Sequence, residues 1–434
     1  MKQQIAVDIE QSTPEPRELE KAADKRPFEE LGVTGLQHFS GLVTEEYERK
    51  LEGEKGRKVY HEMSLTDPTV GGVLYAIEMI SRNVKWRVEG EDEDVVEFVD
   101  GCFHDMSTSW ADTLAEILSK LVYGFSWHEV VYKKRDGPQP DNSSKPTSKF
   151  NDGKIGWRKL PIRAQDSLLR WEFDEEGAVS HFVQSAPPTY NEIPIPITRS
   201  LLFRTTQHKG NPEGLSILRR MYRPYYLKRH VENIEAIGVE RDLAGLPVFW
   251  RSTDIGAKYD AVLKSFINNL RNDEQAGLLL PLVRDANGNK ELEFELVSSS
   301  GGKQFDTTTV IRRLDHAIVT AGLADFLLLG QDKVGSFALA SNKTELFAVA
   351  LAAFLKSVAS VFNSHGIPRL LQINAIQTET PPRLVPGDVE TVDLRELGQY
   401  ITSVGGAGLL MPDDDLENHL RQAANLPMKK EESF

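Results

Sequence analysis

The chain has 434 residues, 40% of them apolar, with 51 Lys and Arg against 65 Asp and Glu for a net charge of -14. That length supports two or three domains or one elaborated protomer with a real core, and the acidic balance excludes the electropositive footprint of a tight, sequence-reading DNA binder. A single cysteine, Cys102, excludes an intrachain disulfide and a metal-thiolate cluster and suits assembly in a reducing cytoplasm.

Glu10, Glu15, Glu18 and Glu20 crowd the first twenty residues, which lack the basic end and apolar stretch of a signal peptide. Up to about Lys58 the chain is polar and broken by Pro14, Pro16 and Pro27, which predicts an arm with at most short helices. From Asp67 the residues Val70, Val73, Leu74, Ile77 and Ile80 recur at helical spacing, with Asp67 as N-cap and Pro68 at the first helical position. Strand-like Val84, Trp86 and Val88 follow. A second helix is expected over Trp110–Leu121, ending near Gly124, and a strand over Phe125–Lys133. The run Asp136–Asp152 holds Pro138, Pro140, Pro146 and Gly137 and reads as an exposed loop, after which strands resume from Ile155 through Phe182 and Leu201.

After Asn211-Pro212-Glu213-Gly214 the texture turns helical. Pro224 suits the first turn of a helix to about Leu243, where Gly245 and Pro247 stop it. A β-α-β-β pattern follows: strand Val248–Arg251, helix Tyr259–Leu270, strand Gly277–Val283, a turn at Asn287-Gly288, and strand Leu292–Val297. A helix over Asp306–Ala321 fades into apolar Phe326–Leu329, and Gly330–Ser341 reads as a loop. The longest helix candidate is Asn342–Phe362, with Phe347, Leu351, Phe354, Val358 and Val361 on one face and small Ala350, Ala353 and Ala359 allowing close packing. Gly366 and Pro368 are expected to end it before a strand Leu370–Ile376, and two last helices are expected at Val389–Val404 and Asp414–Ala424.

No catalytic constellation emerges. The phosphate-cradling G-x-x-x-x-G-K-[ST] loop of an NTPase is absent. Gly124-Phe125-Ser126-Trp127-His128 imitates a nucleophile elbow, but His128 stands where a second glycine must permit the strained turn. Asp285, Asn287 and Asn289 imitate a calcium loop, but Lys290 replaces its glycine. Asp413, Asp414, Asp415 and Glu417 are the one acidic group that could gather a metal for nuclease chemistry; after Pro412 they read more simply as caps at a helix start. Lone histidines such as His316 and His365 do not pair at ligand spacing. Leu346–Phe362 could be taken for the span of a membrane channel, yet it carries Lys356, is rich in Ala and Ser and is short for a bilayer. The expectation is therefore no enzyme, no cofactor, no metal and no membrane. Arg219, Arg220, Arg223, Lys228 and Arg229 form the densest basic patch, which reads as a solvated helix face, an ion-pair surface or a partner contact.

Four segments, in order, carry a family resemblance. They are Asp67-Pro68 with its helix and Val84-Lys85-Trp86; Tyr123-Gly124-Phe125-Ser126 with Glu129; Leu168–Phe173 with Gly177 and Gln184; and Gly210-Asn211-Pro212-Glu213-Gly214-Leu215-Ser216 with the helix through Arg241 and Gly245-Leu246-Pro247. Together they resemble the portal proteins of tailed bacteriophages, in the branch with the short portals of transposable-type phages, over about Tyr60 to Pro427.

The resemblance implies an α+β protomer. Residues 1–59 would be an N-terminal arm; 60–210 and 342–386 a wing; 215–243 and 306–329 a helical stem; 244–300 a small α/β clip; 330–341 a tunnel loop; and 388–426 a short helical crown. It implies that Gln331, Asp332, Lys333, Gly335, Ser336, Asn342 and Lys343 line a DNA channel, that Arg219, Arg220, Arg223, Lys228 and Arg229 lie on the stem, and that Phe249, Trp250, Phe266 and Leu279 build the clip. It implies a homo-oligomeric ring, a dodecamer in the virion, at one capsid vertex and assembled in the host cytoplasm. Double-stranded DNA would pass through without sequence recognition, and the terminase large subunit, the major capsid or scaffold protein and a head-tail adaptor would dock. Asp388–Glu432, with ten acidic residues against four basic, suits a wall past which DNA slides without being gripped, and reads equally as a solvated acidic tail.

Overall fold

The structure, a computed structural model, describes residues 32–140, 146–244, 246–251, 260–261, 263–265, 292–297, 306–324 and 337–389, and beyond them Thr402, Ser403, Glu417 and Arg421. Two compact units make up the chain: Met1–Arg219 with Gly322–Phe434, and Arg220–Ala321 between them.

The first unit opens with a hairpin of β1 (His38–Phe39) and β2 (Leu42–Val43), then α1 (Gly53–Thr66) and α2 (Pro68–Asn83). The Asp67 carboxylate accepts from the backbone N–H of Thr69 and Val70, both at 2.9 Å, a cap worth about 1 kcal/mol. Pro68 takes a first-turn position where its missing N–H has no intrahelical partner to lose. Val70, Val73 and Ile77 bury the expected face. Within the stretch expected to be an arm, Val43 and Leu51 are buried, and the Gly41 carbonyl accepts from Trp171 N–H at 2.9 Å. α1 hides in that polar stretch because its hydrophobic burial rests on two side chains, Tyr60 and Met63.

β3 (Trp86–Glu89) pairs with β14 (Arg383–Pro386). Next comes α3 (Glu93–His104), where the sequence reading assigns no element, although Asp92 caps Val95 N–H at 3.2 Å and Val95, Phe98, Val99 and Cys102 bury one stripe. α4 (Trp110–Leu118) and α5 (Lys120–Tyr123) end at Gly124, left-handed at φ 92. The single strand expected over Phe125–Lys133 is two, β4 (Phe125–Glu129) and β5 (Val131–Asp136). β5 pairs with β6 (Asn151–Lys159), whereas β4 is the middle of a sheet with β7 (Ile162–Arg163) and β11 (Ser200–Arg204). A third sheet runs β10 (Glu192–Pro196), β9 (Val179–Ser185), β8 (Leu168–Phe173), and all of these pairings are antiparallel.

The period of two along β4 sorts the core. Phe125 and Trp127 join Trp171, Phe182, Leu168 and Ile195 on one side. His128 instead meets Phe203, which meets Phe362, with ring centroids 5.5 and 5.6 Å apart.

α8 (Phe337–Val361) begins five residues before the expected start, so the expected loop Gly330–Ser341 loses its last five residues to helix. Phe347, Leu351 and Val358 are buried as expected. The expected strand Leu370–Ile376 is overturned: a π-turn Phe362–Gly366 runs into α9 (Ile367–Ile373). Gly366 is right-handed helical at φ -68 rather than a terminator, and Pro368 stands in the first turn, where proline starts a helix as well as it stops one. Among the described residues, Glu345–Ile373 is the one helix long and apolar enough to cross a membrane. Phe347, Leu351, Leu355, Val358 and Phe362 bury one side of it inside the unit, as in a core helix, while Lys356 is exposed.

The second unit takes in nearly all of α6 (Leu218–Ala244), then β12 (Leu246–Arg251), β13 (Leu292–Val297) and α7 (Thr307–Ala321). α6 starts before Pro224 and keeps that proline inside, where the sequence places it in the first turn. Leu218 and Met221 are fully buried and anchor the turn that the missing N–H weakens. Lys228 Nζ meets Asp315 Oδ1 at 2.6 Å, and Thr307 Oγ1 donates to Glu235 Oε1 at 2.5 Å. Contacts that advance along α6 while retreating along α7 make the two helices antiparallel, and β12 and β13 pair antiparallel from Leu246↔Val297 to Arg251↔Leu292. Asp260, Ala261 and 263–265 are helical, as expected; the strand Gly277–Val283 and the turn Asn287-Gly288 lie outside the described residues.

Candidate functional site at the foot of the long helix

The segment Thr205–Leu218, which leads into α6, is docked on Gly124 and the end of α5. Thr205 N–H donates to the Gly124 carbonyl at 3.0 Å, Ile217 N–H to the Leu121 carbonyl at 3.0 Å, and Thr205 Oγ1 accepts from Leu215 N–H at 3.1 Å. Ser216 Oγ accepts from Leu218 N–H at 3.1 Å and donates to the Val122 carbonyl, capping the long helix and tying it to α5 in one residue. Gly124 and Gly214 both have positive φ, 92 and 58, and a Cβ on Gly124 would stand 2.3 Å from the Glu213 carbonyl oxygen.

Beneath this seam lies Glu213. Its N–H donates to Asn211 Oδ1 at 2.9 Å, and its carboxylate accepts from Trp171 Nε1–H at 3.1 Å with the Arg57 guanidinium 3.8 Å away. Burial pushes the Glu213 carboxyl above the usual carboxylate range, against the opposing pull of Arg57 and the Trp171 hydrogen bond. Arg219, the second residue of α6, forms a forked pair with Glu46, both contacts 2.8 Å. These contacts hold the first residues of a helix of 27 residues, about 40 Å long. No His/Cys/Asp/Glu group suited to a metal occurs among the described residues.

The candidate elbow is a strand. Ser126 Oγ donates to the Ile117 carbonyl at 3.0 Å, and fully buried His128, whose Nδ1 lies 2.8 Å from the Leu160 carbonyl, has its pKa lowered to about 4 by burial. Lys120 is also fully buried, 2.6 Å from Ser357 Oγ on α8, and burial lowers its pKa to about 7.

The basic patch does not act as one surface. Arg219 is paired with Glu46 and Lys228 is buried with Asp315, while Arg220, Arg223 and Arg229 are exposed, Arg229 lying 3.5 Å from the Tyr225 hydroxyl. Phe249 and Trp250 sit on β12, opposite Phe294 and Glu293, and Trp250 is exposed. Phe266, Leu279, Gln331, Asp332, Lys333, Gly335 and Ser336 lie outside the described residues; Asn342 and Lys343 fall within α8 rather than in a loop. Asp413, Asp414 and Asp415 and most of the two expected last helices also lie outside, but Glu417 is helical and paired with Arg421 at 2.7 Å. Sequence reasoning missed the Arg57–Glu213–Trp171 cluster, whose members are far apart in the chain and share no local motif.

No curated protein matches the chain. Its fold is similar to that of a chain in the neck of the native gene transfer agent particle computed with C12 symmetry, at 13% identity and a TM-score of 0.53 over 87% of this chain and 95% of that one. It is similar also to one in the neck of the empty particle computed with C6 symmetry, at 12% identity and a TM-score of 0.52 over 85% and 94%. A chain of the virion of the native particle gives 13% identity and 0.51 over 86% and 94%. In sequence, residues 57–422 match the family described as the portal protein of Mu bacteriophage, and with most of its length so matched the chain belongs to that family of phage portal proteins.

Proposed function

We propose that copies of this chain close into a ring, a dodecamer at one vertex of a virion, through which double-stranded DNA is packaged and ejected. The family is one of structural proteins, and the role is that of a conduit rather than an enzyme. The observation that carries the ring is on α6. Tyr226, Leu227, Ile234 and Ile237 are exposed and fall within about 100° of helical arc, opposite the buried Met221, Tyr225 and Lys228. An apolar stripe of this kind on a charged helix calls for a protein partner, and a rotationally closed set of identical copies supplies one. The likeness of fold to chains from necks computed with C12 and C6 symmetry supports the same reading.

In this reading α6 and α7 are the stem, the β12–β13 region the clip, and the α/β body the wing. Gly330–Ser341 is the tunnel segment, short by the five residues that α8 takes. The ring docks the terminase large subunit and a head-tail adaptor, meets the major capsid or scaffold protein, and is assembled in the host cytoplasm. A net charge of -14 per copy suits a channel that must not grip its cargo. Native mass spectrometry and negative-stain imaging of the purified chain test the proposal. Annular particles with a central hole and a mass near twelve subunits are expected, and a lone monomer under every assembly condition overturns it.

A further inference from the structure

Between α3, the start of α4, β3 and β14, within the first unit, lies a cavity of about 120 Å³ that the portal role does not use. Trp86, Phe103 and Trp110 wall it, Val84 and Leu384 complete its apolar lining, and Asp100 and His104 are its polar members. Asp100, Phe103 and His104 are spaced i, i+3, i+4 on α3 and so share one face of that helix. Val84, Phe103 and Leu384 are buried, while the Asp100 and His104 side chains are 45% and 67% exposed, which puts the opening on their side.

The rings meet close to right angles. Trp86 and Trp110 have centroids 5.3 Å apart and planes at 79°, and Phe103 and Trp110 have centroids 5.0 Å apart, also at 79°. Two rings set edge to face enclose a corner bounded by a π face of each, and the negative face of a ring attracts a cation. Asp100 adds a carboxylate, with Oδ2 3.3 Å from His104 Nδ1, and among the described residues no Lys or Arg pairs with it. Arg135 and Lys154 stand over Phe98, elsewhere on α3, and not over the rings of the cavity.

Size and wall chemistry select the cation. The volume is below the roughly 150 Å³ of a cavity that holds benzene, so it takes a compact head group and no peptide. A primary ammonium brings three N–H donors that aromatic and aliphatic walls leave unmet, and a bare metal ion needs a shell of oxygen ligands. A quaternary ammonium has no donor to satisfy, turns methyl groups to the rings and leaves its charge to their faces and to a carboxylate. We propose that this cavity binds the quaternary ammonium head of a small molecule of the choline kind, with Trp86, Phe103 and Trp110 as walls and Asp100 as counter-charge.

Calorimetric titration of the full chain with choline chloride, against a sodium chloride blank of equal ionic strength, tests this. Binding in the millimolar range or tighter is expected. Neohexyl alcohol, the analogue with carbon in place of nitrogen, should bind at least tenfold more weakly, and so should ethanolamine, which carries a primary ammonium. Trp86→Leu should weaken choline binding at least tenfold. Asp100→Asn, at a half-exposed position, should do the same with the melting temperature unchanged, which decides the matter should Trp86→Leu fail to fold. Heats no larger than those of the blank overturn the proposal, as does choline binding untouched by Asp100→Asn. Equal affinity for choline and neohexyl alcohol overturns it in favour of a plain apolar cavity. Acetyl-Nε-trimethyllysine-amide bound tenfold more tightly than choline overturns the small-molecule occupant in favour of a methylated side chain.

Discussion

A Cβ placed on Gly214 would lie 2.5 Å from the carbonyl oxygen of Gly124, so these two glycines meet backbone to backbone with no room for a side chain between them. The long helix α6 therefore starts from a joint made of main chain, and main chain cannot repack as side chains do. Gly124→Ala puts a Cβ into a left-handed residue and 2.3 Å from the Glu213 carbonyl. Strain and overpacking together should cost about 2–5 kcal/mol. Gly177→Ala is the control: φ is +81 but nothing lies within 4 Å, so strain alone, about 1–2 kcal/mol, is expected. Chemical denaturation of both variants checks the difference, and equal losses would show that the close approach is unimportant.

Lys228 and Asp315 join the antiparallel helices through an ion pair in which the lysine side chain is 3% exposed. Asp315→Asn takes this carboxylate away from a buried ammonium and should cost about 3–5 kcal/mol. Lys228→Met in the same chain should recover most of the loss by removing the charge that needed a partner. A double-mutant cycle in denaturant reads the coupling; additive losses would mean that the pair contributes nothing.

Among the described residues Lys120 meets the Ser357 hydroxyl and no carboxylate, and burial holds its pKa near 7, below the ordinary 10.5. Between those two values the unfolded chain binds more protons than the folded one, so the lysine's contribution makes stability rise with pH. The full penalty falls below about pH 7 and fades as pH approaches 10.5. Lys120→Met should therefore be more stable than wild type at pH 7, with a margin that shrinks by on the order of 1 kcal/mol per pH unit up to pH 10. A margin independent of pH would show that the amine is not the titrating group.

What the sequence discloses follows from the range of the forces involved. The Asp67-Pro68 helix start, the Gly124 stop and the buried face of Phe347, Leu351 and Val358 depend on neighbours within a turn or two, and each is legible. The π-turn and α9 are not, because Gly366 and Pro368 are terminators only when the chain is free to leave the helix. Here Phe362, Ile367, Leu370 and Leu371 are buried in the body, and that burial keeps the chain helical. The joint was half legible: Gly210–Ser216 stands out as a turn-rich segment before a helix, but nothing near it names Gly124, Trp171 or Arg57. α6 starts earlier than Pro224 suggests for the same reason, since the burial of Leu218 and Met221 outweighs a local breaker.

If the segment before α8 faces DNA in the assembled ring, removing Gln331–Ser336 should leave ring formation intact and change packaging. The described part of α8 buries Phe347, Leu351 and Val358, which lie beyond the deletion. Ring mass and yield should match wild type, while virions made with the deleted chain should hold less DNA or lose it on standing. Normal DNA content and retention would remove the segment from the channel.

The exposed stripe of α6 gives the sharpest separation between folding and assembly. Ile234 is 54% exposed and Ile237 48%, so neither supports the fold of the single chain, and glutamine at both keeps helix propensity while removing the apolar surface. Ile234→Gln with Ile237→Gln should leave the monomer's melting temperature and helicity within the effect of an ordinary surface change, about 0.5 kcal/mol. If neighbouring copies cover the stripe, each interface in the ring loses two buried isoleucine side chains, about 1.5–3 kcal/mol apiece. Because that loss recurs at every interface of a closed ring, assembly should shift by more than tenfold in protein concentration. Sedimentation velocity across a dilution series reads both species, and rings of unchanged size and yield would place the subunit interface elsewhere.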